Sequence, residues 1–255
     1  MANPMFDLKD KVALVTGSTR GIGKSIAEEL ARAGARVSVS SRKAEACEAV
    51  RTEFEKQGFA VLAQACNVSR KEDLQALVDA TLKRWGRIDV AVANAAANPY
   101  YGPLTGIPDE AFDKVFLNNV KSVLWLAGMT LPGMAERGAG SFITVGSIGG
   151  IVANTVIGAY GMSKAADHHL VRNLAAEWGP KGVRVNAIAP GLIKTDFARA
   201  LWEDEKRRKE REASTPLRRL GEPRDIGGIA VFLASEAAAF VTGQILVADG
   251  GVTIL

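Results

Sequence analysis

Only two of the 255 residues are cysteine, Cys47 and Cys66, and only two are histidine, His168 and His169. Two isolated thiols build neither a disulfide framework nor a thiolate metal site, and adjacent histidines on a helix point in different directions. No zinc-ligand spacing exists, and no metal is expected. No apolar run is long enough to span a bilayer, so no membrane partner is expected. Asp7, Lys9, Asp10 and Lys11 precede the first apolar run, unlike a signal peptide, and the C-terminal Thr-Ile-Leu does not read as a peroxisomal address. A cytoplasmic location is the expectation. One-sided charge is missing too. The net charge is +4 and the isoelectric point about 9.1. The densest charged run, 203–212, holds five acids and five bases, so it reads as a solvated helix and nucleic acid is not an expected partner.

What is present is apolar and rich in glycine: 47% hydrophobic residues, 24% charged, and 26 glycines. Such a chain can bury a large core and make many tight turns. Apolar, β-rich runs at 11–16, 35–40, 59–65, 88–93, 141–145, 183–188 and 244–248 alternate with amphipathic stretches. Helices are expected over 22–33, 43–57, 71–85, 109–137 (interrupted near Pro132-Gly133), from about 158 to 178, and over 223–235. Repeated strand–helix–strand units with continuously apolar strands predict an α/β fold. The expectation is a single doubly wound (Rossmann) domain spanning 1–255, with a seven-stranded parallel sheet and helices on both faces. A less regular segment, 191–222, lies between glycines and reads as a substrate lid.

The first strand ends in Gly17-Ser-Thr19-Arg20-Gly21-Ile22-Gly23. Glycines let a backbone turn tightly against a ligand, and the helix that follows offers free N–H groups to a phosphate. At the end of the second strand, where an NAD-binding unit usually places an acid, the chain has Ser40-Ser41-Arg42-Lys43. An arginine in place of the acid suits a 2′-phosphate, so NADP(H) is expected over NAD(H), with Arg20 assisting from within the turn. After the third strand, Asn67 and Val68 stand where an adenine would lie.

Tyr160 and Lys164 are four residues apart in a stretch that can start a helix, which places them on one face. A free phenol has a pKa of about 10 and is a poor proton shuttle near neutrality. A fixed ammonium nearby favours a phenolate, which makes a tyrosine usable as a general acid or base. Ser147, on the turn before the helix, can hold a substrate oxygen beside the phenol.

Taken together, these segments resemble the short-chain dehydrogenase/reductase family over essentially the whole chain. The similarity also rests on Asn94-Ala95-Ala-Ala97, Leu117-Asn-Asn-Val120, Asn186-Ala-Ile-Ala-Pro190-Gly191, Asp249-Gly-Gly251, and the serine thirteen residues before the tyrosine. The resemblance implies that Tyr160 exchanges a proton with a carbonyl or alcohol oxygen. It implies further that Lys164 tunes the phenol and holds the nicotinamide ribose, and that Ser147 bonds the developing alkoxide. Asn119 would position a relay water, with Asn118 its rival. Ile193 and Thr195 would meet the carboxamide, while Asn94 and Ala95 line the cofactor groove. Two departures are visible: Ala97 replaces the family's glycine and Asn67 its commoner aspartate.

Within the family, segments 94–102, 189–202 and 218–223 are most similar to an NADP-dependent branch that reduces retinal and other hydrophobic carbonyls. The rim expected beyond the strand ends holds Tyr100, Tyr101, Ile148, Phe197, Leu201 and Trp202. If these converge, the pocket is apolar and takes a hydrophobic carbonyl or secondary alcohol; Phe197 and Trp202 can alternatively serve only to pack the 191–222 segment. A 3-oxoacyl thioester, a steroid or a sugar is the alternative substrate for the same chemistry. A homotetramer is expected by family analogy, with the helix face over 167–178, both histidines included, against another subunit.

Overall fold

The computed structural model describes residues 4–255. Seven strands run in chain order: β1 (Val12–Val15), β2 (Arg36–Ser41), β3 (Val61–Ala65), β4 (Val90–Ala93), β5 (Gly140–Val145), β6 (Val183–Pro190) and β7 (Ile245–Ala248). They form one sheet ordered β3-β2-β1-β4-β5-β6-β7, and every pairing is parallel. The order reverses direction between β1 and β4, which is where a doubly wound sheet opens a crevice beyond its carboxyl ends.

The strands lack polar–apolar alternation because both faces are covered. Along β1, Ala13 and Val15 enter one core cluster and Leu14 the other. The first cluster takes its helical side chains from α1 (Gly21–Arg32), α2 (Ala44–Lys56) and α8 (Pro223–Ala234). The second takes them from α3 (Lys71–Trp85), α5 (Ser122–Glu136) and α6 (Gly158–Trp178). The remaining helices, α4 (Asp109–Phe116) and α7 (Glu205–Ser214), lie toward the loop end.

The expected break in the helix over 109–137 falls elsewhere. Pro132 sits at an exposed position inside α5 without ending it. The irregularity is one turn of π-helix, Leu117–Lys121, between α4 and α5. An inserted residue of this kind re-aims the side chains around it and is often found at functional sites, and here it turns Asn119 into the protein. Among the described residues no helix is long and apolar enough to cross a membrane.

Candidate active site

A cleft of about 1660 Å³ opens along the carboxyl ends of the strands. Its first wall is the glycine turn. Gly17 adopts φ +64° and Gly21 φ +54°, a left-handed backbone that other residues adopt with strain. Helix α1 begins directly behind, with no side-chain cap at Arg20 and no acid in its first turn. Its N–H groups and the positive end of its dipole therefore face the cleft without a built-in anion, which is the arrangement a pyrophosphate requires. A Cβ at Gly23 would strike the Asn94 amide and the Gly17 carbonyl. The close approach is made useful by Asn94, whose Nδ2 donates to the carbonyls of Thr16 at 2.9 Å and Gly17 at 3.0 Å. Thr16 Oγ1 in turn accepts the N–H groups of Asn94 and Ala95. The turn and the end of β4 are thus clamped to each other, and Thr16 is a member of that clamp the sequence reading did not single out.

Farther along, Ser41, Arg42, Asn67 and Val68 line the same cleft. Arg42 is exposed, with its guanidinium free to meet a ligand at the β2 end. Arg20 instead approaches Asp196, 3.7 Å away on the opposite lip. The Asn67 oxygen accepts from Ser69 Oγ at 2.9 Å, which leaves its amide group for the cleft. Cys47 also contributes: its sulfur accepts the Ser41 N–H at 3.1 Å and so fixes the backbone beside Arg42. Cys66 is inert, because burial, with smaller contributions from Asp73 and Cys47, pushes its thiol up to about 12.

Pro190, Gly191, Ile193 and Thr195 line the far wall. The carbonyl of Ala248 accepts the Gly191 N–H at 3.0 Å, and Ile193 pairs with Gly221 across the base of the 191–222 segment. Next to them stand Ser147, Ile148, Tyr160, Phe197 and Leu201, with Tyr101 at the mouth. The Tyr160 and Phe197 rings lie 6.0 Å apart. Ser147 Oγ accepts the Gly149 N–H at 3.0 Å, which pins the serine on its turn.

Lys164 lies beneath this floor rather than on it. It is 3% exposed, and its ammonium stands 5.8 Å from the Tyr160 ring centroid. Nζ donates to the Val145 carbonyl at 2.9 Å and to Asp167 Oδ2 at 3.1 Å. Burial opposes the charge, yet the Asp167 carboxylate and then Tyr160 outweigh it and hold the lysine above its ordinary value. Asn119 is fully buried; its side chain donates to and accepts from Ala97 and donates to Ser163 Oγ at 3.0 Å. It braces the 94–97 segment and α6, while Asn118 lines the cleft.

Three expectations need correction. Tyr100 is not part of the cleft wall, because its hydroxyl donates to the Pro103 carbonyl at 3.1 Å and closes its own loop. Trp202 is likewise outside, with Nε1 donating to the Thr195 carbonyl at 3.0 Å, a bond that ties the 191–222 segment to itself. The 167–178 face is not open as a whole: Asp167 and His168 are buried within the chain, and only His169 of the two histidines is exposed.

A doubly wound parallel sheet, a glycine cradle at its crossover and a tyrosine above a buried lysine define a nicotinamide dinucleotide-dependent oxidoreductase. The chain belongs to the short-chain dehydrogenase/reductase family: residues 17–253 match the family described as enoyl-(acyl carrier protein) reductase. It is 43% identical over 244 residues to dehydrogenase/reductase SDR family member 4 of Mus musculus, covering 96% of this chain and 88% of that one. The corresponding human protein is 41% identical over the same length, with the same coverage. Among solved structures, a 7 alpha-hydroxysteroid dehydrogenase complexed with NADH and 7-oxo glycochenodeoxycholic acid superposes with a TM-score of 0.94 at 38% identity, covering 98% of both chains. A gluconate 5-dehydrogenase from Burkholderia cenocepacia J2315 in complex with NADP and tartrate gives 0.94 at 32% identity, covering 99% of this chain and 98% of that one.

Proposed function

We propose that the protein is an NADP(H)-dependent carbonyl reductase or alcohol dehydrogenase of hydrophobic specificity. The observation that carries this reading is the single floor on which Ser147 and Tyr160 meet apolar Ile148, Phe197 and Leu201, with Lys164 buried below. The bound dinucleotide supplies or accepts the hydride. Tyr160 Oη gives its proton to the carbonyl oxygen during reduction and takes it back during oxidation. Ser147 Oγ–H holds that oxygen as its charge develops. Lys164 places a positive charge beside the phenol, and Asn119 secures the segment over which a relay water passes. An apolar wall favours a hydrophobic substrate, because a sugar would leave hydroxyls unpaired against Phe197 and Leu201. The missing acid at the end of β2, together with exposed Arg42, supports NADP(H) over NAD(H).

Segment 191–222 acts as the lid in this reading. Its two ends are joined by the Ile193–Gly221 bridge, so what lies between can move as a unit over the substrate. The same segment supports a second reading. Arg207 and Arg211 of α7 line the cleft mouth, where they would suit the phosphate of a 3-oxoacyl thioester carrier. One assay separates the two. NADPH and NADH oxidation are followed side by side with an aromatic α-dicarbonyl and with an acetoacetyl thioester. Rapid NADPH consumption on the dicarbonyl is the expected result. A preference for the thioester overturns the substrate class, and activity with NADH alone overturns the cofactor choice.

A further inference from the structure

Beneath the floor of the cleft lies a charge that the oxidoreductase chemistry does not require. Asp167 is one helical turn beyond Lys164 on α6 and is fully buried. An unpaired carboxylate is costly at such depth, so an acid there needs a reason. Oδ2 has Lys164 Nζ as its partner at 3.1 Å, and Oδ1 has no hydrogen-bond partner among the described residues. Lys164 spends two of its three N–H groups on Val145 and Asp167, leaving the third without a hydrogen-bond partner among the described residues. The aspartate is therefore a counter-ion to the ammonium that serves Tyr160.

We propose that Asp167 is a positioning residue that keeps the Tyr160–Lys164 pair in its protonated form to higher pH, the form that carbonyl reduction consumes. This rests on the reading of Tyr160 as the proton donor. The sign follows from electrostatics alone. A fixed negative charge opposes proton loss from any neighbouring group, whether the phenol or the ammonium gives up the proton. Asp167 also anchors Nζ from below, so the lysine stands in one place instead of swinging along its four-carbon stem.

Other charges are poorly placed to do the same. Helix α6 packs against α4, α5, β6 and the turns at 117–121, 148–150 and 179–181. On these elements Asp109, Glu110, Asp113, Lys114, Lys121, Glu136 and Lys181 are exposed, and Arg184 turns away to the carbonyls of Leu233 and Ser235. On α6 itself, His169, Arg172 and Glu177 are exposed. His168 is buried beside the Gly146 and Gly150 backbone and is neutral near pH 7, because burial and then Lys164 and Arg172 lower it to about 4. The charges that act on Lys164 are those of Asp167 and Tyr160; burial holds the Asp167 carboxyl above its ordinary value, and the ammonium of Lys164 is what pulls it back toward the ionised form.

The test compares the protein with Asp167→Asn, which keeps shape and removes charge, and with Asp167→Leu should the amide variant fold poorly. Two pH titrations are run on each. One is kcat/KM for ketone reduction; the other is tyrosinate absorbance of the cofactor-free protein, with Tyr160→Phe subtracted to isolate Tyr160 from Tyr100 and Tyr101. Both midpoints are expected to fall by about one pH unit when the charge is removed, with NADPH affinity changed less than about twofold. A midpoint that stays in place in either titration, in protein that melts normally and binds NADPH, overturns the proposal. Tyr160→Phe separates this failure from that of the underlying reading: if it retains near-normal turnover, Tyr160 is not the donor at all.

Discussion

On the proposed reading, the choice between the two dinucleotides falls to one exposed side chain, Arg42. A charge-assisted bond from a guanidinium to a phosphate contributes about 1.5–3 kcal/mol, less at a solvated rim. Arg42→Asp is therefore expected to lower the NADPH-to-NADH ratio of kcat/KM by about tenfold or more, read from initial rates with both cofactors. An unchanged ratio would show that the 2′-phosphate is held elsewhere, with Arg20 and Lys43 the next to vary. Single residues also mark what the sequence left hidden. Asp167 carried a legible signal, an acid three positions beyond the lysine on the same helix. It reads as part of a surface face because helical periodicity says which residues share a side but not which side is covered. Tyr100 and Trp202 were misplaced for a related reason: aromatic composition near a rim does not reveal whether a ring's polar atom finds a backbone carbonyl close by.

Among the elements, the glycine turn is the most sharply determined. Gly23 leaves no room for a side chain between the Asn94 amide and the Gly17 carbonyl. Gly23→Val is expected to push Asn94 out of its clamp, destabilising the protein by about 1–3 kcal/mol and weakening NADPH binding at least tenfold. Thermal melting and fluorescence titration measure the two effects. A variant that melts and binds normally would mean the clamp relaxes freely. Strands and helices here were legible because seven apolar runs alternate with amphipathic stretches, and strands covered on both faces need no finer pattern. The long helix over 109–137 was legible in extent but not in its irregularity. Proline is a conspicuous breaker in a sequence, yet Pro132 is accommodated, whereas nothing about Leu117–Lys121 announces a π turn. That turn depends on Asn119 finding Ala97 and Ser163, which are distant in the chain.

Whole-molecule behaviour follows from what the surface leaves uncovered. Near the C-terminal end Phe240, Val247, Ile254 and Leu255 are all exposed, the last at 87%. Exposed apolar side chains gathered into one surface mark contact sites, and self-association is the simplest use these four could have. Multi-angle light scattering is expected to give four times the 27.0 kDa chain mass. A monomer would leave these side chains without an occupant and remove the tetramer from the reading of this protein.

The seam between β1 and β4 has a further consequence, for the order in which the molecule assembles. Ala13 pairs with Val90, so the seam joins residues that are separated in the chain by all of β2, β3 and the first three helices. Closing so long a loop is entropically slow and is rewarded only when both sides are already formed. The glycine turn rests on one side of the seam and Asn94 on the other. A dinucleotide that binds across the seam therefore holds both sides together and stabilises the folded chain by mass action. The melting temperature is accordingly expected to rise with cofactor concentration.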